Sequence, residues 1–332
     1  MKRLAVVGAG SWGTALARLL AGRFEDVRLW VYEEDLAARL RASRENDVFL
    51  PGFRIPENVR VETDLAAVVP GAEVVLGVMP SHHARRMYGE MLELVEPGML
   101  FVSATKGIET GTLARMTEVV AQVLGAKLAP RVAALSGPTF AREVAAGEPT
   151  AVTIASEDRE MAVAIQAAFS GPTFRLYTND DPVGVEMGAA LKNVIAIGAG
   201  VCSGLGLGSN TMAALMTRGL AEMTRLAMAM GGRPRTLAGL AGLGDLVLTC
   251  TGPLSRNRQV GVELAKGRAL DEILSSTRMV AEGVETTYAA MDLARRHGVD
   301  MPITERMYGV LRLGRPPREA IRELMERSLK GE

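Results

Sequence analysis

Lysine is rare in this sequence, so where it stands is informative. Of 38 basic side chains six are lysine and 32 arginine, so arginine carries the solvated positive charge. Two of the six, Lys106 and Lys192, stand in glycine-rich or apolar surroundings. Lys192 lies in GVEMGAALKNVIAI (184–197), with Gly188, Ala189, Ile195 and Ala196 on its helical face. Burial on such a face disfavours the ammonium and lowers its pKa toward the range a general acid or base needs near neutrality. A second cation such as Lys106 lowers it further. The same pattern admits a lysine that snorkels to water or pairs with Glu186. Asp245 is isolated in GDLVLT (244–249), and a buried carboxylate normally has a cationic partner, for which Lys192 is the candidate. Ser255-Arg256-Asn257-Arg258, opening a helix through Lys266, offers a guanidinium fork plus helix-end N–H groups. That combination suits a phosphate, although an isolated S-R-N-R also suits a solvated turn.

A second kind of phosphate site begins the chain. Gly8-Ala9-Gly10-Ser11-Trp12-Gly13 matches G-x-G-x-x-G between a strand and a helix. Gly8 permits the tight turn, Gly10 the approach of a pyrophosphate, and Gly13 close helix–strand packing. The helix N-terminus points free N–H groups and positive dipole at the phosphates. Glu33, twenty positions after Gly13, can accept from the ribose hydroxyls of NAD, or can cap the next helix. Tyr32, Glu33 and Glu34 supply no arginine for the NADP phosphate, while Arg39 or Arg41 could reach back. The expectation is NADH at least as good as NADPH.

These groups need a scaffold. Apolar runs at Arg3–Val7, Val27–Tyr32, Val59–Val61, Val74–Met79, Leu100–Ser103, Val132–Leu135, Ala151–Ala155 and Phe174–Tyr177 read as strands. Helical patterns at Ala84–Val95, Leu113–Leu124 and Arg159–Phe169 separate them, which predicts βαβ units, a parallel sheet and helices on both faces. Ligands of such sheets bind outside the carboxyl ends of the strands. Met79-Pro80-Ser81, Thr105-Lys106-Gly107 and Ser136-Gly137-Pro138-Thr139 fall there, and Lys106 is either a ligand contact or a surface loop lysine. Beyond the turn at Asn179-Asp180-Asp181-Pro182 the patterns are helical: Val185–Ala199, Met212–Met230, Val260–Lys266, Glu285–His297, Ile303–Leu313 and Pro317–Leu329. A domain boundary is expected near residue 183.

Composition narrows the function. The chain has 332 residues, 38 basic and 38 acidic, 48% hydrophobic and 4% aromatic, which fits two soluble domains. Zero net charge argues against a coat for nucleic acid or an acidic membrane, but allows a local basic pocket. Cys202 and Cys250 cannot make a disulfide framework, so a reducing cytosol is the expected setting. The apolar stretch Leu4–Val7 is too short for a signal-peptide core. The longest charge-free run, Asn193–Thr217, is broken by Ser203, Gly204, Gly206, Gly208, Ser209 and Asn210, and reads as two buried helices joined by a turn. His82, His83 and His297 form no metal motif, and no acyl-transfer elbow occurs, so no metal is expected.

The ordered motifs resemble a known family, the bacterial NAD(P)-dependent sn-glycerol-3-phosphate dehydrogenases. The likeness runs through GAGSWGTALA (8–17), NDVFLPG (46–52), ATKGIE (104–109), LSGPTFAREVAAGEPTA (135–151) and GAALKNVIAIGAG (188–200). It continues through TRGLAEMTRL (217–226), GLGDLVLTC (242–250), SRNR (255–258) and VAEGVET (280–286). The resemblance implies an α/β fold, with an N-terminal Rossmann-type doubly wound parallel sheet (1–183) that binds NAD(H) or NADP(H). An all-α substrate domain (184–332) follows. It implies Lys192 as proton acceptor in glycerol 3-phosphate oxidation, with Lys106 and Asp245 beside it. Lys106, Gly137, Thr139, Lys192, Asp245, Ser255, Arg256 and Asn257 would contact substrate. Gly8, Gly10, Ser11, Trp12, Gly13, Tyr32, Lys106, Ala141, Arg256, Val280 and Glu282 would line the cofactor site, and Asn193 and Thr249 would join the polar network. The family commonly has a basic residue where Tyr32 stands, and Ser where Thr139 stands.

Joined to the residue chemistry, the likeness implies a reaction. Protonated Lys192 gives its proton to the alkoxide that develops as dihydroxyacetone phosphate takes hydride, and Lys106 stabilises the charge. Asp245 holds Lys192, while Arg256 and Asn257 grip the phosphate. The product would supply phospholipid synthesis, in the cytoplasm, from a homodimer, without a nucleic-acid or membrane partner. A β-hydroxyacid or 6-phosphogluconate dehydrogenase is the nearest rival. A redox-sensing NAD(H)-binding protein is another, but pure binding has no need of buried acid/base groups.

Overall fold

The computed structural model describes residues 1–276, 280–329 and 331. All eight strand-like runs are strands: β1 (Arg3–Val7), β2 (Asp26–Trp30), β5 (Val59–Glu62), β6 (Val74–Gly77), β7 (Leu100–Ser103), β8 (Arg131–Ser136), β9 (Thr150–Ala155) and β10 (Phe174–Asn179). Two more, β3 (Glu45–Asn46) and β4 (Leu50–Arg54), form a separate antiparallel hairpin that the sequence pattern did not announce. The sheet order is β10-β9-β8-β7-β6-β1-β2-β5. Central β1 pairs with β2 on one side and β6 on the other, in parallel (Val6↔Leu29, Val6↔Leu76). The chain leaves β1 in one direction and returns on the other, and this switch point opens the crevice above the glycine loop. β6 and β7 are buried along their whole length, which is why they read as unbroken apolar runs.

One junction departs from the parallel expectation. β8 and β9 are antiparallel (Leu135↔Ile154), while β9 and β10 are parallel to each other. A parallel crossover must carry the chain back along the sheet. The only helix between β8 and β9, Ala141–Ala146, has six residues and spans about 9 Å. Its Ala141 and Ala145 pack with Trp12 and Ala15 of the glycine-loop helix Ser11–Leu20 instead.

The second half is built around one helix, Pro182–Gly204, of which nearly every residue is buried. Asp181 caps it by accepting from Gly184 N at 2.8 Å, and Pro182 occupies the first turn, where its missing N–H costs nothing. This core helix is long and apolar enough to cross a membrane by length and composition, but it lies wholly inside the protein. The charge-free run Asn193–Thr217 is indeed two helices, the second being Ser209–Ala229, whose first turns are half-buried or exposed. Helix Arg256–Ala265 crosses the core helix with backbones in contact: a Cβ on Gly261 would lie 2.0 Å from Ile197 O, and one on Gly200 1.9 Å from Arg258 O. That contact fixes where Arg256 emerges. A single π turn, Leu240–Gly244, leads into helix Asp245–Thr251, so Asp245 is aimed from an irregular junction of the kind common at functional sites.

Candidate active site

Two helices and two strand-end loops converge on Asp245. Its carboxylate is 1% exposed and receives two ammoniums: Lys192 Nζ at 2.5 Å on Oδ1 and Lys106 Nζ at 2.8 Å on Oδ2. Lys192 also donates to Thr249 Oγ1 at 2.9 Å, and that hydroxyl donates to Asp245 O at 2.6 Å, one turn back on the same helix. Lys106 donates further to Gly137 O and Thr139 Oγ1, both at 2.9 Å, which joins the ends of β7 and β8 to the helical half. Burial drives the Lys192 pKa down to about 7, with Lys106 adding to the fall and Asp245 opposing it. Lys192 therefore neither snorkels nor pairs with Glu186, which is bonded to Arg115 instead.

A chain of amides sets the spacing of these groups. Asn193 Nδ2 donates to Lys106 O at 3.2 Å, Asn257 Nδ2 to Asn193 Oδ1 at 2.9 Å, and Gly283 N to Asn257 Oδ1 at 3.0 Å. One Nδ2 hydrogen and the Oδ1 of Asn257 are thus engaged in the framework, which fixes the side chain beside Arg256. Ser255 caps that helix, its Oγ accepting from Arg258 N at 3.2 Å. Arg256 bridges the two halves by donating to Ser11 Oγ at 2.8 Å, and its other arm reaches Val280 O at 3.5 Å. Burial lowers the Arg256 pKa, with Glu282 opposing.

The glycine loop fits a dinucleotide on a steric test. Gly8 has φ +118° and a Cβ there would lie 2.8 Å from Val78 O, while a Cβ on Gly13 would lie 1.8 Å from Gly8 O. The fold itself requires those two. At Gly10 a Cβ would meet nothing within 4 Å, so open space there leaves room for a ligand against the backbone. Trp12 Nε1 is buried beside this loop with no hydrogen-bond partner among the described residues. Glu282, whose carboxyl burial pushes up, accepts from Ser81 N at 2.9 Å and Ser81 Oγ at 2.6 Å, closing the crevice from the helical side. Ser81 belongs to a segment singled out in the sequence, but without a role. Tyr32 stands apart from this cluster, 65% exposed past the end of β2, with Arg86 over its ring at 5.8 Å from the centroid. Arg39 is paired with Asp35 and Asp47, and Arg41 with Val61 O and Glu62, so neither reaches back.

Comparison with known proteins agrees with this geometry. Residues 3–162 match the model of the N-terminus of NAD-dependent glycerol-3-phosphate dehydrogenase, and residues 181–322 that of its C-terminus. The chain belongs to the NAD-dependent glycerol-3-phosphate dehydrogenase family. Among its relatives, a glycerol-3-phosphate dehydrogenase [NAD(P)+] of Koribacter versatilis is 59% identical over 329 residues, covering 98% of each chain. That of Geobacter sulfurreducens is 53% identical over 331 residues, covering 100% of this chain and 99% of the other. The crystal structure of glycerol-3-phosphate dehydrogenase from Coxiella burnetii superposes with a TM-score of 0.94 at 41% identity, covering 98% of this chain and 99% of that one. The chain is accordingly an NAD(P)-dependent oxidoreductase acting on the CH–OH group of glycerol 3-phosphate, a small-molecule substrate.

Proposed function

We propose that Lys192 is the proton-transfer group of this glycerol-3-phosphate dehydrogenase and that Lys106, Asp245 and Thr249 tune it. The observation that carries the reading is the sharing of one buried carboxylate by two lysines. A pKa near 7 lets Lys192 act in either direction: its ammonium gives a proton to the developing alkoxide, or its neutral amine takes one from the alcohol. Bound nicotinamide supplies or accepts the hydride. Lys106, held by Gly137 O and Thr139 Oγ1, keeps a second positive charge beside the oxygen that becomes anionic. Arg256, with Ser255 and the backbone N–H groups of its helix, binds the phosphate and orients the carbonyl at a distance. Gly8, Gly10, Ser11, Trp12 and Gly13 cradle the dinucleotide diphosphate, and Ala141, Val280 and Glu282 border it.

The division of labour follows the chain in outline: residues 1–183 supply the glycine loop for the cofactor and, from their strand ends, Lys106, while residues 184–332 supply Lys192, Asp245 and Arg256, with Val280 and Glu282 at the cofactor's border. Product feeding phospholipid synthesis, a cytoplasmic location, a homodimer and NADH at least as good as NADPH complete the reading.

The pH dependence of the two directions tests it. Reduction of dihydroxyacetone phosphate requires the Lys192 ammonium, so kcat should fall as pH rises through about 7, while kcat for oxidation rises over the same interval. Flat profiles in both directions between about pH 6 and 8.5 would remove Lys192 from the proton-transfer role.

A further inference from the structure

The hairpin β3–β4 carries a polar side chain that neither the mechanism nor the fold has used. Asn46 on β3 is 0% exposed, and its amide is fully engaged. Its Oδ1 accepts from Phe49 N at 2.9 Å, within the hairpin. Its Nδ2 donates to Ala9 O at 2.9 Å and to Thr14 Oγ1 at 2.8 Å, and Thr14 Oγ1 in turn donates to Ala9 O at 3.2 Å. Because a backbone N–H occupies the oxygen, both amide hydrogens must face the glycine loop. Ala9 is the residue between Gly8 and Gly10, so this buried triangle grips the middle of G-x-G-x-x-G from behind.

We propose that Asn46 is a positioning residue for the cofactor diphosphate, acting through the Ala9–Gly10 peptide. A trans peptide is planar, with its C=O and N–H pointing to opposite sides. With two donors holding the Ala9 oxygen inside the protein, the Gly10 N–H is turned the other way, and no carbonyl oxygen can rotate toward an anionic diphosphate. An unpinned Gly-Ala-Gly segment has several conformations within reach, since glycine flanks both sides of the hinge. Pinning it in advance removes an ordering cost that binding would otherwise carry. The hairpin is itself anchored to the glycine-loop helix. Leu50 and Phe53 pack with Trp12 and Ala15, and Arg18 of that helix donates to Arg54 O. The inference rests on the reading that the glycine loop holds the diphosphate.

The test measures NADH affinity by fluorescence on the full-length protein without substrate, alongside Michaelis constants and the thermal midpoint. Asn46→Asp keeps the acceptor for Phe49 N but replaces both donors with a carboxylate oxygen facing Ala9 O. NADH should bind about tenfold more weakly, the scale of one lost buried hydrogen bond, with kcat at saturation within about twofold of wild type. Thr14→Val, nearly isosteric, removes one of the two donors to Ala9 O and should weaken NADH about threefold. A purely structural role would lower the thermal midpoint and leave the affinity of the folded protein unchanged, and that result overturns the proposal. Should Asn46→Asp fail to fold, Thr14→Val decides: unchanged NADH affinity overturns the proposal and a loss supports it. Gly10→Ala separates the two ideas, because its methyl fits the empty loop. If it leaves NADH affinity intact, the reading of the loop falls and the proposal with it. If it weakens binding while both other variants bind normally, only the proposal falls.

Discussion

The core helix carries two buried ionic clusters, six residues apart, and they are built to opposite ends. At Glu186, Arg115 donates to Oε2 at 2.6 Å and Thr117 supplies its N to Oε1 at 2.8 Å and its hydroxyl to Oε2 at 2.5 Å. Arg115 is completed by Glu118 at 2.8 Å. The buried charges there close one to one, Arg115 with Glu186, while the second carboxylate, Glu118, is 42% exposed to water. At Lys192 the buried charges do not close, because two ammoniums share one carboxylate. A surplus positive charge held out of water is costly unless something else neutralises it. A doubly anionic substrate does so, and Arg256 adds to the same side of the balance. The difference teaches how a structural ion pair is told from a functional one: by whether the charges close among themselves, not by burial or distance.

The widest separation between the clusters should come from removing one member of each. Lys192→Ala leaves a closed Lys106–Asp245 pair, so stability should hold and NADH affinity change by less than about twofold, while turnover falls about 10²–10⁴-fold. Glu186→Ala leaves Arg115 only the largely exposed Glu118 and strips Thr117 N and Oγ1 of their buried acceptor. Denaturant titration should show a loss of about 3–5 kcal/mol, with near-normal kcat in the protein that remains folded. Retained turnover in the first variant, or unaltered stability in the second, would dissolve the distinction.

A smaller effect is expected at Arg256. Arg256→Lys keeps the charge surplus but not the bidentate fork, so the Michaelis constant for dihydroxyacetone phosphate should rise about tenfold with a modest change in kcat. Because Arg256 also donates to Ser11 Oγ on the cofactor loop, the Michaelis constant for NADH should move slightly in the same direction. An unchanged constant for dihydroxyacetone phosphate would take the phosphate away from this residue.

Much of this was legible in the residues. Eight apolar runs became eight strands: β6 and β7, covered on both faces, are apolar throughout, while β5 and β10 alternate buried and exposed residues. A lysine on an apolar helical face and an isolated aspartate turned out to be partners 53 positions apart, since each alone would be an unpaired buried charge. The antiparallel β9 was not legible, because strand direction depends on how far the preceding connection travels, and the short helix Ala141–Ala146 gave no sign of turning onto the glycine-loop helix. Glu186 had a nearer apparent partner in Lys192, whereas its true partner Arg115 lies 71 positions upstream. Asn46 sat in a two-residue strand inside a polar stretch, where nothing local distinguishes a buried amide from a solvated one.

The adenosine end of the crevice extends the comparison and carries the smallest expected effect. Here the cations close among themselves: Arg39 with Asp35 and Asp47, Arg41 with Glu62, and Arg86 with Glu90 at 2.8 Å. These pairs leave none of the three guanidiniums unbalanced, and on the proposed reading Glu33 past β2 accepts from the ribose hydroxyls. The Michaelis constant for NADH should therefore be no larger than that for NADPH. Tyr32→Arg would introduce an uncompensated guanidinium beside Arg86 and should move the ratio toward NADPH by about tenfold, leaving kcat alone. A strong NADPH preference in the wild type would break the criterion at this site. Arg86, over the Tyr32 ring at 5.8 Å and paired with Glu90, would then be the residue to test, with Arg86→Ala expected to abolish the preference.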